Sequence, residues 1–390
     1  MERRRFLSGF FSLGAAGVAA GVVATTLPRL SFAVQAQGYR RLLILIELKG
    51  GNDALNTVVP YADPAYYALR PRIAVKSDEV IRLDERMGLH PALQPLTALW
   101  QAKELAIVQG VGYAQPNLSH FRSIEIWDTA SKSDEILGDG WLGRVFAATP
   151  VPAAFAADGV VIGSSDLGPL AGPGTRALAL NETEQFLRQA KLAVAGGRRG
   201  NAALNHILKV QDNIQQAAAH LNPNIVFRTE FPKNPFGTAV RTAAQLAANP
   251  SGIGVIRLSL NGFDTHQNQA PVHQRLLGDL AEGILALKSA LVEINRWEST
   301  LVMTYSEFGR RPRENNSNGT DHGTAAAHFA TGGRVKGGFY GQPPRLDRLE
   351  SGNLAYEVDF RSLYATALER WWGLSSHGPL RGKFVTMGFV

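Results

Sequence analysis

Three short stretches of the chain set carboxylates beside imidazoles: Asp53 in "KGGNDALNT", Asp264 and His266 in "NGFDTHQNQ", and Glu307, Asp321, His322 and His328 in "SEFGRRPRENNSNGTDHGTAAAHF". Carboxylate oxygen and imidazole nitrogen are the donors that hard and borderline divalent cations take, so the set suits one or two ions of zinc, manganese, magnesium or calcium. The sequence contains no cysteine, which excludes disulfides, thiolate-bound zinc, iron–sulfur clusters and covalently attached haem. Each stretch alone also reads as ordinary loop chemistry: an Asp after a Gly-Gly turn closes or caps the turn, and an Asp-His pair hydrogen-bonds. Their joint occurrence is what points to a metal.

A hydroxyl and a cluster of arginines complete the set. Ser119 in "AQPNLSHF" falls at the predicted start of a helix, where backbone N–H groups and the helix dipole favour an anionic oxygen. Near a divalent cation such a hydroxyl can ionise and attack phosphorus or sulfur; alternatively it is an N-cap serine. Arg310, Arg311 and Arg313 offer bidentate contacts to phosphate or sulfate oxygens, Arg310 above all, or form a solvated charge run.

The elements that must position these groups follow from hydrophobic pattern. "RLLILIEL" (41–48) is a continuous apolar run bounded by charge and glycine, the pattern of a strand buried on both faces. Further strands are expected at 105–109, 159–165, 252–260 and 300–306, and helices at 91–103, from about Ser119, at 272–296 and at 360–372. A helix-rich region lies at about 180–250. Strands alternating with helices predict an α/β domain with a mostly parallel sheet and helices on both faces. In such sheets ligands bind beyond the carboxyl ends of the strands, which is where Asp53, Asp264, His266 and Glu307 fall.

The N-terminus "MERRRFLSGFFSLGAAGVAAGVVATTLP" reads as a twin-arginine export signal ending near residue 36, which makes the translocase a transient partner and the destination periplasmic or extracellular. Passengers of that route are exported already folded, often with a cofactor in place. Removal of residues 1–36 leaves 36 Lys+Arg against 32 Asp+Glu, a net charge of +4. So small an excess, without basic stretches interleaved with aromatics, argues against a nucleic-acid binder. No G-x-G-x-x-G follows the first strand, which argues against a nucleotide-dependent oxidoreductase.

"RRRFL", "LKGGNDALNTVVPY", "PNLSHFRSIEIW", "NGFDTH" and "SEFGRRPRENNSNGTDHG" together resemble the exported bacterial proteins of domain-of-unknown-function family 1501, itself similar to the alkaline phosphatase and sulfatase superfamily. The resemblance implies an alkaline-phosphatase-like three-layer fold over residues 37–390 and a two-metal site. It implies Asp53 as first carboxylate, Ser119 as nucleophile, Asp264 and His266 as the next ligands, Asp321 and His322 as an Asp-His pair, and His328 as last ligand. Two registers stay open. Glu307 stands where the superfamily pair would follow its strand directly, so either Asp321-His322 takes the main ligand position or Glu307 does; in the second register Phe308 cannot ligate, His322 becomes the late histidine, and one metal loses a ligand, which leaves a single-metal or inactive site. The implied activity is hydrolysis or transfer of a small anionic phosphate or sulfate ester; the alternative is a binding protein that keeps a structural metal site and docks a periplasmic or surface partner.

Overall fold

The computed structural model describes residues 38–180 and 225–390. The export signal and residues 181–224 of the expected helix-rich region lie outside the described residues. Twelve strands are described. β1 (Leu42–Lys49) is followed by β2 (Val58–Val59), β3 (Ile81–Arg82) and β4 (Gly88–Leu89), which form a small antiparallel sheet. β5 (Leu105–Gly112), β6 (Ala157–Ile162), β7 (Ala177–Leu180), β8 (Ile253–Asn261), β9 (Thr300–Tyr305), β10 (Ala326–Thr331), β11 (Gly338–Tyr340) and β12 (Val358–Asp359) join β1 in a nine-stranded sheet. Its order is β11-β5-β10-β9-β1-β8-β6-β7, with β12 also on β5.

β1 is buried along all but its last residue, as its unbroken apolar run requires. Leu42, Ile44, Ile46 and Leu48 pack on one face against the helices Pro235–Ala247 and Gln269–Glu293. Leu43 and Leu45 pack on the other, against His120–Thr129, Trp141–Ala148 and the C-terminal helical segment Arg361–Trp372. The period-2 alternation of one strand therefore feeds two cores, and the result is the expected three-layer α/β architecture. Among the described residues no helix is long and apolar enough to cross a membrane.

The 91–103 segment differs from the expected single helix. It is a 3₁₀ turn, Pro91–Leu96, running into the α-helix Thr97–Gln101. Pro95 lies inside the 3₁₀ turn, has no N–H to donate, and disfavours continuous α-helix before it.

Every neighbouring pair in the large sheet is parallel except those of β10, which is antiparallel to both β5 and β9. The chain leaving β9 thus returns down the sheet as β10 instead of crossing to the opposite rim. Both ends of the 306–325 loop are in consequence anchored at the carboxyl edge, beside the ends of β1 and β8.

The second core carries a polar seam that the apolar reading of β1 and β8 did not anticipate. Glu47 and Arg257 form an ion pair of 2.8 Å, each side chain 2% exposed. Arg257 also donates to the Tyr305 hydroxyl (2.8 Å) and the Asp166 carbonyl (2.8 Å), and Ser259 donates to Glu47 (2.7 Å). These bonds offset the desolvation of the two charges. Asp128 is buried beside them, and burial pushes its carboxyl up to about 8, against the pull of Arg257.

Because the Asp128 pKa is higher in the folded chain than in the unfolded one, the folded state holds the extra proton between about pH 4 and pH 8. Its stabilising contribution is complete below that window and is lost as pH rises through it. The melting temperature of Asp128→Asn relative to the parent should therefore climb from pH 5 to pH 8 and level off above; a difference constant across that range would show that Asp128 is ionised in the fold.

Candidate metal centre

Four strands end at one rim, and each contributes. β1 runs into Gly50 and Gly51, whose φ of +119° and +81° only glycine adopts without strain. A Cβ on Gly50 would also stand 2.3 Å from the Asp264 backbone nitrogen, so the β1 and β8 turns touch only because the residue is glycine. β8 leads to Asp264 and His266, β9 to Ser306 and Glu307, and β5 to the segment that starts the His120–Thr129 helix.

The long polar loop folds back on itself. The Gly309 N–H donates to Thr324 O, Arg311 N–H to Asp321 O and Gly323 N–H to Gly309 O, so 309–311 and 321–324 lie antiparallel. Arg310, fully buried, secures the loop to its neighbours. It donates to the carbonyls of Gly50, Gly51 (2.8 Å), Phe263 (3.2 Å) and Thr320 (2.9 Å), and to Asp264 Oδ1 (2.6 Å). All three guanidinium nitrogens of Arg310 donate within the rim and the side chain is buried, so it holds the rim together and is turned away from a substrate anion, in place of the expected clamp.

Around Asp264 Oδ1 stand three imidazole nitrogens: His266 Nε2 at 3.0 Å, His322 Nε2 at 3.3 Å and His120 Nε2 at 3.4 Å. The Nε2 atoms of His266 and His322 are 2.9 Å apart. Donor atoms of His120, Asp264 and His322 all lie within 4.8 Å of one another, a grouping able to hold a metal ion. Each ring is turned by its other nitrogen. His322 Nδ1 donates to Leu118 O (2.7 Å), and because a carbonyl only accepts, the lone pair of the neutral ring sits on Nε2. His120 Nδ1 meets Glu307 Oε1 at 2.8 Å, and His266 Nδ1 lies 3.6 Å from Asp321 Oδ1. Such outer acceptors orient metal-binding histidines in general. His120 Nε2 is buried and has no hydrogen-bond partner.

The electrostatics are those of a carboxylate in a cationic surround. Burial works to raise the Asp264 pKa, but the Arg310 hydrogen bond and charge, with His120 and His266, hold it down at about 2. The hydrogen bond that His120 donates to Glu307 raises its pKa against its burial, whereas burial lowers His322.

The structure thus brings together Asp264, His266 and His322 of the expected ligands, and adds His120, which the sequence reading passed over in favour of its neighbour Ser119. Its signal was present: an imidazole on the first residue of a helix that begins at the functional rim. The choice between Glu307 and Asp321-His322 dissolves, because the folded-back loop uses both ends. His322 enters the cluster while Glu307 and Asp321 stand behind His120 and His266.

Two expected ligands are elsewhere. The Asp53 oxygens are taken by Arg70 (2.6 Å), by Gln269 and by Leu55 N–H (3.2 Å), and the Asp53 and Arg70 side chains are wholly buried. Arg70 in turn donates to the carbonyls of Arg311 (3.0 Å) and Pro312 (2.7 Å), so this pair grips the loop from below. Arg70 holds the Asp53 pKa down against its burial. His328 is buried within β10 at the edge of the Trp127 ring, both nitrogens without a hydrogen-bond partner, and burial pushes it down to about 3. It is a neutral core residue.

Ser119 occupies the N-cap position of the His120–Thr129 helix, yet its side chain makes no capping bond and the residue is exposed. Its neighbours on either side both reach the cluster, Leu118 through its carbonyl and His120 through its ring.

Over residues 105–379 the chain matches the family described as protein of unknown function (DUF1501), and it belongs to that family. No curated protein matches it. It is similar to the solved structure of a protein in the alkaline phosphatase superfamily from Vibrio parahaemolyticus, at 8% identity over 91% of this chain and 78% of that one, with a TM-score of 0.42. A sulfatase from Pseudoalteromonas sp. is 12% identical over 94% and 74% of the two chains, TM-score 0.40. The C-terminal periplasmic domain of EcEptC from Escherichia coli, in complex with zinc, is 8% identical over 75% and 73%, TM-score 0.37.

Replacing Arg70 by Met leaves the Asp53 carboxylate buried without its partner, which should cost about 3–5 kcal/mol of stability. Urea denaturation of the two proteins measures this; a loss below about 1 kcal/mol would mean that Asp53 and Arg70 do not form the buried pair.

Proposed function

We propose that this member of the DUF1501 family is an exported, metal-dependent hydrolase or transferase that acts on a phosphate or sulfate ester through Ser119. The observation that carries the reading is the Ser119 hydroxyl, uncommitted at a helix N-cap and set between two residues that both reach the His120–Asp264–His322 cluster. An ordinary N-cap serine uses its oxygen to accept from the first turn. This one does not.

The ten-residue helix behind it offers the unpaired N–H groups of its first turn, and its dipole favours the ester oxyanion. That end of the helix, in place of Arg310, holds the substrate anion. His120, Asp264, His266 and His322 are the residues that would hold a divalent cation, and such an ion would supply Lewis acidity that lowers the pKa of the serine hydroxyl and takes up charge on the ester oxygens. Glu307 fixes the His120 ring and Leu118 fixes the His322 ring, so neither has to reorganise as the serine oxygen bonds to phosphorus or sulfur and the alcohol departs. Water then releases the group from serine in hydrolysis, or a second hydroxyl takes it in transfer.

A binding role without turnover is the competing reading. The burial of Arg310 and its bonds to four carbonyls and Asp264 favour it, since that arginine faces into the protein and away from a substrate. Turnover of p-nitrophenyl phosphate and sulfate by the purified protein decides between them. Activity that chelation abolishes, and that Ser119→Ala lowers by about 10³-fold or more, supports the enzyme. Unchanged activity in Ser119→Ala removes the serine from the mechanism, and absence of turnover together with a melting temperature lowered by chelation establishes the binding role.

A further inference from the structure

We infer that the centre takes a single ion of zinc-like size on His120 Nε2, His322 Nε2 and an Asp264 oxygen, with His266 Nε2, which lies beside two of these, turning in as the fourth donor, and that the described residues hold no second metal position. The inference rests on the reading of this cluster as the metal centre, and it decides between the one and the two ions that the sequence leaves open.

The spacing argues for the first part. Donors of a tetrahedral ion bound at about 2.0–2.1 Å stand about 3.3 Å apart. Asp264 Oδ1 stands 3.0, 3.3 and 3.4 Å from the three rings, the donor atoms of His120, Asp264 and His322 all lie within 4.8 Å of one another, and His266 joins that group through Asp264 and through His322 Nε2 at 2.9 Å. Two imidazole nitrogens at 2.9 Å share at most one proton, and the lone pair on His322 Nε2 is fixed by its neighbour's bond to Leu118. The shared proton is therefore on His266 Nε2; the partnerless His120 Nε2 supplies a second lone pair with Nδ1 donating to Glu307, and His266 Nε2 supplies a third once its proton moves to Nδ1, 3.6 Å from Asp321 Oδ1. Three nitrogens and one oxygen suit zinc and its transition-metal neighbours. Calcium, which takes six to eight oxygens, and magnesium, which wants six, find too few here.

The second part follows from where the remaining ligand candidates are spent. Asp53 is paired with Arg70 and accepts from Gln269. Glu307 accepts from Gly50 N–H (2.9 Å), from His120 and from Ser306 (3.3 Å). His328 is enclosed in β10 beside Trp127. A second ion near Asp53 would have to displace a buried guanidinium that also holds the loop through Arg311 and Pro312.

The test is metal content, read separately from turnover. The full chain, stripped by chelation and reloaded with zinc chloride, should hold one zinc per chain by elemental analysis and rise in melting temperature. His266→Ala should weaken zinc binding at least tenfold, and His120→Gln likewise, with cobalt replacing zinc in the parent to give the intense visible spectrum of a four-coordinate ion. Asp53→Asn should keep one zinc per chain even as its melting temperature falls. Two zinc ions per chain, with the second lost in Asp53→Asn, would overturn the inference, as would none, or affinity untouched in His266→Ala. One zinc without ester turnover leaves the inference standing and removes the hydrolase reading; two zinc ions with turnover do the reverse.

Discussion

The rim of this fold depends on one buried guanidinium. Arg310 has no solvent contact and reaches the carbonyl ends of three separate turns, those after β1, after β8 and within the loop after β9, while its remaining bond fixes the Asp264 carboxylate. A backbone carbonyl at the end of a strand has lost its ladder partner, and burial without another costs free energy comparable to a lost hydrogen bond. The planar fork of arginine satisfies several such groups at once, which the compact ammonium of lysine cannot. The charge that pays for this desolvation is Asp264, so the group that closes the loops also sets the ionisation of the central carboxylate.

Much of the fold was legible because its strands are buried on both faces. β1, β8 and β9 stand out as apolar runs, and the rule that loops at their carboxyl ends carry function led directly to Asp264, His266 and the loop after β9. Family membership was legible too, from the spaced motifs. What stayed hidden was pairing at long range. Nothing near Asp53 announces Arg70, and nothing in "GRRPREN" says which arginine turns inward. Spacing alone also could not reveal that the loop doubles back, bringing Glu307 and His322 to the same place from opposite ends of the stretch.

His120 and the polar seam around Arg257 mark two further limits. In each, a polar residue sits where pattern reading assigns a generic role, a helix first turn or a strand interior, and its meaning comes from partners about 50 to 210 residues away. The seam also shows that this sheet is not uniformly apolar on its second face: Glu47, Arg257, Ser259 and Tyr305 bond to one another across three adjacent strands. Such a network stabilises only when complete, and it fixes the register of β1, β8 and β9 more sharply than leucines would.

The return of β10 beside β9 has a bearing on the order of events as the chain folds. Gly50 meets Glu307 across 257 residues, and Leu118 meets His322 across 204. Contacts of such separation close late, after the shorter loops have formed. The cluster at the rim therefore does not exist in any fragment that lacks the C-terminal third of the chain, and no ion can serve as a seed for folding there. The centre is a product of the finished sheet, so whatever it captures is captured by a molecule already assembled.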